Sequence, residues 1–160
     1  MSTEAMALTE RALEHFIHKT TDQAKSTMEI PLSAYRDADR YAVEVEGIFM
    51  HLPLAAALSL ELPEAGNYRA MSLMGVPVLL IRGDDMSVKA MLNVCSHRGA
   101  QLCREGSGTQ QMITCPYHAW SYNQKGDLIG RYGGNTFGDI DNDKYGLTQL
   151  HCEEKSGIVW

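Results

Sequence analysis

The sequence has too few basic residues for a general nucleic-acid partner. Its 14 Lys and Arg residues are outnumbered by 20 Asp and Glu residues, which gives a net charge of −6. Phosphate binding requires concentrated positive charge. We therefore expect no nucleic acid among the partners of this chain.

Long apolar runs are also missing, and no stretch approaches the length of a membrane span. The N-terminus lacks the basic-then-apolar pattern of a secretion signal, because Glu4 and Glu10 interrupt it. Only 4 cysteines occur, and without a secretion signal they do not indicate a disulfide framework. We expect a cytoplasmic chain with no membrane contact, in which the thiols are available for metals.

The spacing of apolar residues divides the chain into a helical and a β part. Helical periodicity predicts one helix over about 4–25 and a second over about 37–50. After Pro63, short β segments bounded by turn residues are predicted at 68–74, 76–81, 87–92, 111–114, 119–123, 147–153 and 158–160. A turn is predicted at 124–127 and a long loop at 131–146.

These elements predict an α+β fold: N-terminal helices over 1–60, followed by a small antiparallel β domain over 61–160. The chain stops inside a predicted strand, at Gly157-Ile158-Val159-Trp160. We interpret this ending as a stop before a further domain.

Two short motifs carry the chemistry. Cys95-Ser96-His97 and Cys115-Pro116-Tyr117-His118 form a C-x-H and a C-x2-H motif, separated by 17 residues. Thiolates bind iron strongly, and neutral imidazoles on one of two irons raise the potential of a [2Fe–2S] cluster. We expect Cys95 and Cys115 to bind one iron and His97 and His118 to bind the other.

Other interpretations of these motifs are weaker. A structural zinc site usually pairs Cys with Cys and His with His, at wider spacing than C-x-H. Unligated Cys and His residues of an ordinary core would leave the joint spacing unexplained. The iron–sulfur interpretation accounts for all four residues together.

The same segments resemble a known family. The stretches Asn93–Ala100 and Cys115–Tyr122 resemble the two cluster loops of Rieske non-haem iron oxygenases, in the Rieske domain of the alpha subunit. The ring-hydroxylating dioxygenases and their monooxygenase relatives make up this family, and the resemblance extends from about Pro31. Ser96 stands where many members have arginine, and Ala119 stands where many have glycine.

The resemblance implies a β-sandwich with a small cluster-binding subdomain and a Rieske-type [2Fe–2S] cofactor. It implies electron transfer from a reductase or ferredoxin to a mononuclear iron in a catalytic domain. The resemblance also implies that the full-length protein is a homotrimer and that this catalytic domain belongs to a neighbouring subunit. No stretch here matches that second iron site, so no catalytic residue is assigned and enzymatic activity of the chain itself is left open. The alternative is a free-standing Rieske-type ferredoxin, an electron carrier and not an enzyme, although a helical lead of roughly 60 residues argues against it.

Several neighbouring residues have two interpretations each. Trp120 and Tyr117 either shield the cluster or form an ordinary aromatic core. Arg98 either docks an acidic electron donor or is a solvated surface charge.

Cytochrome bc-type Rieske proteins carry a cysteine at the position of Tyr117, and they are the poorer match. Since oxygenase-type clusters also have fewer hydroxyl hydrogen bonds to sulfur, a low potential is predicted.

Overall fold

The structure is a computed structural model that describes residues 2–136 and 138–160. The chain divides into two compact units, 1–41 and 42–160. Phe137, which belongs to the predicted loop at 131–146, lies outside the described residues. Within the described ranges, no helix is both long and apolar enough to cross a membrane.

The first helix, α1, runs over Thr3–His18 and is shorter than predicted. Its start is capped by the Ser2 hydroxyl, which accepts a hydrogen bond from the Ala5 N–H. Its end is set by Lys19, whose left-handed backbone (φ 53°) cannot continue the helix. The predicted extension to residue 25 is therefore wrong, because backbone geometry at Lys19 ends the helix before the periodic pattern does.

The second helix, α2, runs over Ala38–Glu44 and continues as a π-helix over Val45–Phe49. The Asp37 carboxylate accepts hydrogen bonds from the backbone N–H groups of Asp39 and Arg40, as an N-cap does. The predicted helix over 37–50 is confirmed, although its second half is wound more widely than an α-helix.

The β domain is built on a five-stranded antiparallel sheet. Its strands are β2 (Asn67–Leu73), β3 (Val76–Arg82), β4 (Val88–Leu92), β5 (Gly106–Thr109) and β9 (Gln149–Leu150), in the order β5-β2-β3-β4-β9. The central strand β3 is buried on both faces: Leu79 and Ile81 pack into one core, while Val78 and Leu80 pack into another. This alternation follows from the two-residue period of a strand.

Two small sheets complete the domain. One contains β6 (Ile113–Thr114), β7 (Ser121–Tyr122) and β8 (Leu128–Gly130), and the predicted turn at 124–127 joins its last two strands. The other pairs β1 (Ala57–Leu58), β11 (Ile158–Val159) and β10 (Glu154–Lys155). The predicted α+β class with an antiparallel β-sandwich is confirmed.

Strand β5 was not predicted, because its sequence Gly106-Ser107-Gly108-Thr109 has low β-propensity. It pairs with β2 along a side where the Tyr68 ring takes up the space beside Gly108. A Cβ atom at Gly108 would lie 2.8 Å from that ring. Glycine thus serves close packing here, which a propensity argument does not detect.

Candidate iron–sulfur site

The first loop is the turn between Val94 and Gln101, which form a β-bridge. Within this turn, the N–H of Cys95 donates to the carbonyl of Ala100 at 2.8 Å. The N–H of Gly99 donates back to the carbonyl of Cys95 at 2.9 Å. Gly99 has φ 72°, a left-handed conformation that glycine adopts without a steric cost.

The second loop repeats this arrangement. It stands on the β6–β7 ladder, in which Thr114 pairs with Ser121. The N–H of Cys115 donates to the carbonyl of Trp120 at 2.8 Å, and the N–H of Ala119 donates to the carbonyl of Cys115 at 3.0 Å. Ala119 takes the left-handed position with φ 53°. Each cysteine is thus held by the same two backbone hydrogen bonds in its own loop.

The two loops bring all four predicted donor residues together, grouped as two pairs. Cys95 and Cys115 are buried, with 2% and 3% of their surface exposed, and their thiols interact directly. The rings of His97 and His118 are half-buried, with centroids 4.9 Å apart and planes inclined at 68°. Among residues 2–136 and 138–160, no three His, Cys, Asp or Glu side chains converge closely enough to hold a single metal ion.

Burial dominates the electrostatics of these donors. It raises the pKa of the Cys95 thiol, against hydrogen bonds from the Tyr122 hydroxyl and the backbone of His97 that lower it. Burial also lowers the pKa of the His97 imidazole, and the nearby charges of His118 and Arg98 lower it further. An imidazole that resists protonation keeps a nitrogen lone pair for a metal.

Two aromatic rings lie against the imidazoles. The Trp120 indole is 1% exposed and stacks on His97, with centroids 4.6 Å apart and planes 5° from parallel. The Tyr117 ring lies 3.7 Å from that of His118 but is itself 61% exposed. Trp120 therefore shields its histidine from water, whereas Tyr117 covers His118 from a largely solvent-facing position.

The sequence interpretation missed Tyr122, which is fully buried between the two loops. Its hydroxyl lies 3.2 Å from the Cys95 sulfur and accepts a hydrogen bond from the N–H of Ser96, also at 3.2 Å. The Ser96 hydroxyl lies 2.9 Å from the Tyr122 hydroxyl and donates to the carbonyl of Tyr145 at 2.6 Å. A buried tyrosine needs a hydrogen-bond partner for its hydroxyl group, but the sequence does not show that Tyr122 is buried.

A second missed residue, Asn93, lies at the base of the first loop. It is fully buried, and its amide donates to the carbonyl of Cys103 at 2.7 Å. The amide oxygen accepts from the N–H of Cys103 at 2.9 Å. The side chain thus replaces the strand pairing that the second loop has below its cysteine.

Arg98 and the two remaining cysteines do not belong to the donor set. Arg98 is exposed, and Cys103 and Cys152 are free thiols, as are the two cysteines of the site. In the N-terminal unit, His15 has an acidic partner: its Nε2 lies 3.0 Å from the Asp22 carboxylate. That partner follows the end of α1, so a search along one helical face does not find it.

Comparison with known proteins identifies the domain. The Rieske [2Fe-2S] domain family matches residues 53–133. The chain is 32% identical, over 86% of its length, to the glycine betaine monooxygenase oxygenase subunit of Chromohalobacter salexigens. It is 34% identical, over 82% of its length, to the carnitine monooxygenase oxygenase subunit of Escherichia coli K12. It spans about a third of these relatives, 31% and 35% of their respective lengths.

A solved structure agrees with these relatives. The quaternary ammonium Rieske monooxygenase CntA, in complex with L-carnitine, superposes with a TM-score of 0.71 at 32% identity. The match covers 81% of this chain and 37% of that one. The family match over residues 53–133 includes both loops. The chain belongs to the Rieske [2Fe–2S] domain family, and its relatives are the oxygenase subunits of Rieske oxygenases.

Proposed function

We propose that Cys95 and Cys115 bind one iron of the [2Fe–2S] cluster, that His97 and His118 bind the other, and that the chain transfers single electrons. The observation that carries this assignment is the grouping of the donors into a thiol pair and an imidazole pair. A mononuclear zinc site needs donors that converge on one point. A binuclear cluster needs the paired arrangement instead.

The chemistry of the donor set fits the cluster. Nδ1 of His118 is buried, and no group in the described part of the chain makes a hydrogen bond to it. A buried polar atom without a partner is costly unless something outside the protein chain satisfies it. Iron bonded at this nitrogen removes that cost, and when bound the cluster takes up and releases one electron at a time.

The burial pattern supports a direction for electron exit. The thiols are enclosed by protein, whereas both imidazoles reach the surface of the domain. An acceptor can therefore approach the histidine side most closely. We infer that electrons enter from a reductase or ferredoxin and leave past His97 and His118 to a mononuclear iron.

We place that iron in a catalytic domain outside this chain, in a neighbouring subunit of a homotrimeric full-length protein in the cytoplasm. The support comes from the relatives: all those named above are oxygenase subunits or a monooxygenase. One solved relative is described as revealing inter-subunit electron transfer. In this proposal residues 1–60 form the helical lead and residues 61–160 the Rieske domain. These relatives favour this assignment over a free-standing Rieske-type ferredoxin.

The assignment is tested on anaerobically purified protein. We expect iron and acid-labile sulfide in equal amounts, a red-brown colour, and an EPR signal on reduction with an average g below that of an all-cysteine cluster. A colourless protein that contains zinc would overturn the assignment.

The ligand roles are separated with variants. His118→Cys should keep iron, change the spectrum and lower the potential, because a thiolate adds negative charge to the cluster. Cys103→Ala is the control, since Cys103 is a buried cysteine outside the donor set, and it should leave the spectrum and the potential unchanged. A native potential in His118→Cys would exclude His118 as a ligand.

A further inference from the structure

The donor and acceptor roles of the hydroxyl groups around Cys95 follow from the number of protons that each group can donate. A carbonyl oxygen can only accept, so the single hydroxyl proton of Ser96 is given to the Tyr145 carbonyl, at 2.6 Å. Ser96 therefore faces the Tyr122 hydroxyl, at 2.9 Å, as an acceptor.

Tyr122 also has one proton to donate. Its oxygen already accepts from the Ser96 N–H at 3.2 Å. The proton has two possible acceptors: the Ser96 oxygen at 2.9 Å and the Cys95 sulfur at 3.2 Å. A metal-bound cysteine is a thiolate and cannot donate, so the sulfur competes with the serine for this one proton.

The segment that carries Tyr145 keeps Ser96 in its role as acceptor. Tyr145 ends a short 3₁₀ helix, Asn142–Tyr145, and its ring packs edge-on against Trp120, with centroids 5.7 Å apart. Trp120 in turn stacks on His97. The Tyr145 carbonyl is thereby held above the first loop, where it takes the proton of Ser96.

We propose that Ser96 tunes the cluster by drawing the Tyr122 proton away from the Cys95 sulfur. A hydrogen bond to a ligand sulfur offsets negative charge and favours the reduced state, so a serine that weakens this bond lowers the potential. Ser96 is a positioning residue, because it acts on the donor through Tyr122. The inference rests on the proposed ligand role of Cys95.

Three variants of the cluster-loaded chain test this, with the midpoint potential measured by protein-film voltammetry. Ser96→Ala frees the Tyr122 proton for sulfur and should raise the potential. Tyr122→Phe removes the donor and should lower it. In the double variant Ser96→Ala/Tyr122→Phe, the serine has no donor left to compete for, so the potential should equal that of Tyr122→Phe alone.

Two further variants serve as controls. Ser96→Thr keeps the hydroxyl and should retain the native potential. Ser121→Ala removes a hydroxyl that bonds Thr114 and the Ala119 carbonyl in the second loop, and it should also leave the potential unchanged. Should Ser96→Ala fail to fold, Ser96→Gly removes the same hydroxyl and carries the same expectation.

An unchanged or lowered potential in Ser96→Ala would overturn the proposal. So would a double variant whose potential stays above that of Tyr122→Phe, because the serine would then act by another route. Failure of the proposed function gives a different result: native protein without the Rieske EPR signal. The two failures are thus distinguished on the native sample before any variant is compared.

Discussion

Ala119 has a left-handed backbone conformation, which residues other than glycine adopt only at a steric cost. Its φ of 53° is the left-handed value that Gly99 adopts in the first loop with φ 72°. A side chain in this region costs about 1–2 kcal/mol, because Cβ approaches the following carbonyl oxygen. A glycine at position 119 would avoid this cost.

Ala119→Gly should therefore stabilise the folded domain. The relief of about 1–2 kcal/mol exceeds the loss from a more flexible unfolded chain, about 0.4–1 kcal/mol. The net gain of about 0.5–1 kcal/mol should raise the midpoint of thermal unfolding, followed by circular dichroism on cluster-loaded protein.

Ala100→Gly provides a matched control in the other loop. Ala100 directly follows the left-handed Gly99 but does not itself have a positive φ. Substitution there gives the entropic cost and loses the packing of the Ala100 methyl group on the core, with no relief of a left-handed conformation, so it should lower the unfolding midpoint. Equal shifts in the two variants would show that the conformation of Ala119 stores no strain.

The four residues of the proposed donor set could be selected from the sequence because each C-x-H or C-x2-H motif is local: both of its residues lie within one turn. The hydroxyl arrangement could not be predicted in this way. Ser96 and Tyr122 are 26 positions apart and meet only when the two loops pack together. Contacts of this kind depend on tertiary structure, and residue type and spacing do not specify them.

At the scale of elements, the two cluster loops have the same pattern of backbone hydrogen bonds but differ in the strand pairing at their base. The second loop stands on a ladder of two residue pairs, Ile113 with Tyr122 and Thr114 with Ser121. The first has a single bridge, and below it the Asn93 amide takes the place of a strand. The Asn93 side chain therefore takes part in positioning Cys95 and His97.

Asn93→Ala should destabilise the domain by about 2–3 kcal/mol, because it leaves the buried N–H of Cys103 without its acceptor. It should also speed the release of iron to a chelator, since the first loop loses its support. Chemical denaturation and the rate of bleaching with a chelator measure the two effects.

Gln101→Leu is the control for Asn93→Ala. Gln101 also donates to the Cys103 carbonyl, at 3.0 Å, but it is Asn93 that accepts from the Cys103 N–H. Its loss should cost about 1 kcal/mol or less and leave the chelation rate near native. Equal chelation rates for the two variants would contradict the role given to Asn93.

Prediction of the elements succeeded where burial produces a clear pattern. β2, β3 and β4 carry branched and apolar residues because they form the centre of the large sheet, and all three were predicted. The strands that were missed are short and carry few branched or apolar residues, such as β5 and β10. The early end of α1 was also missed, because the left-handed conformation of Lys19 ends the helix although the amphipathic pattern continues beyond it.

At the scale of the whole domain, one ion pair joins segments that are distant in sequence. The Arg82 guanidinium, on β3, is 5% exposed and makes two hydrogen bonds to the Glu154 carboxylate of β10, at 2.5 and 2.9 Å. It also donates to the carbonyls of Leu62 and Met86. The pair thus fastens the small β1-β11-β10 sheet to the large one that supports the cluster loops.

This pair makes the stability of the domain depend on pH. Hydrogen bonds from Arg82 lower the pKa of Glu154 from 4.5 to about 2. Between these values the folded state keeps the carboxylate ionised while the unfolded chain binds a proton, so stability falls as the pH drops. The contribution is complete above about 4.5 and is lost as the pH passes through about 2.

Glu154→Gln should remove this dependence. At pH 7 the variant should be less stable than the native protein by about 2 kcal/mol, the usual loss for a hydrogen bond to a charged group. The difference should shrink steadily below pH 4.5, because the unfolded native chain then binds a proton at Glu154 while the folded state keeps the carboxylate ionised down to about pH 2. Urea unfolding monitored by tryptophan fluorescence at a series of pH values measures this difference in stability.

Glu153→Gln is the control, because it removes a neighbouring carboxyl group and leaves the Arg82 pair intact. It should retain the native dependence of stability on pH. A difference between native protein and Glu154→Gln that stays constant down to pH 3 would show that the Arg82 pair does not lower the pKa of Glu154.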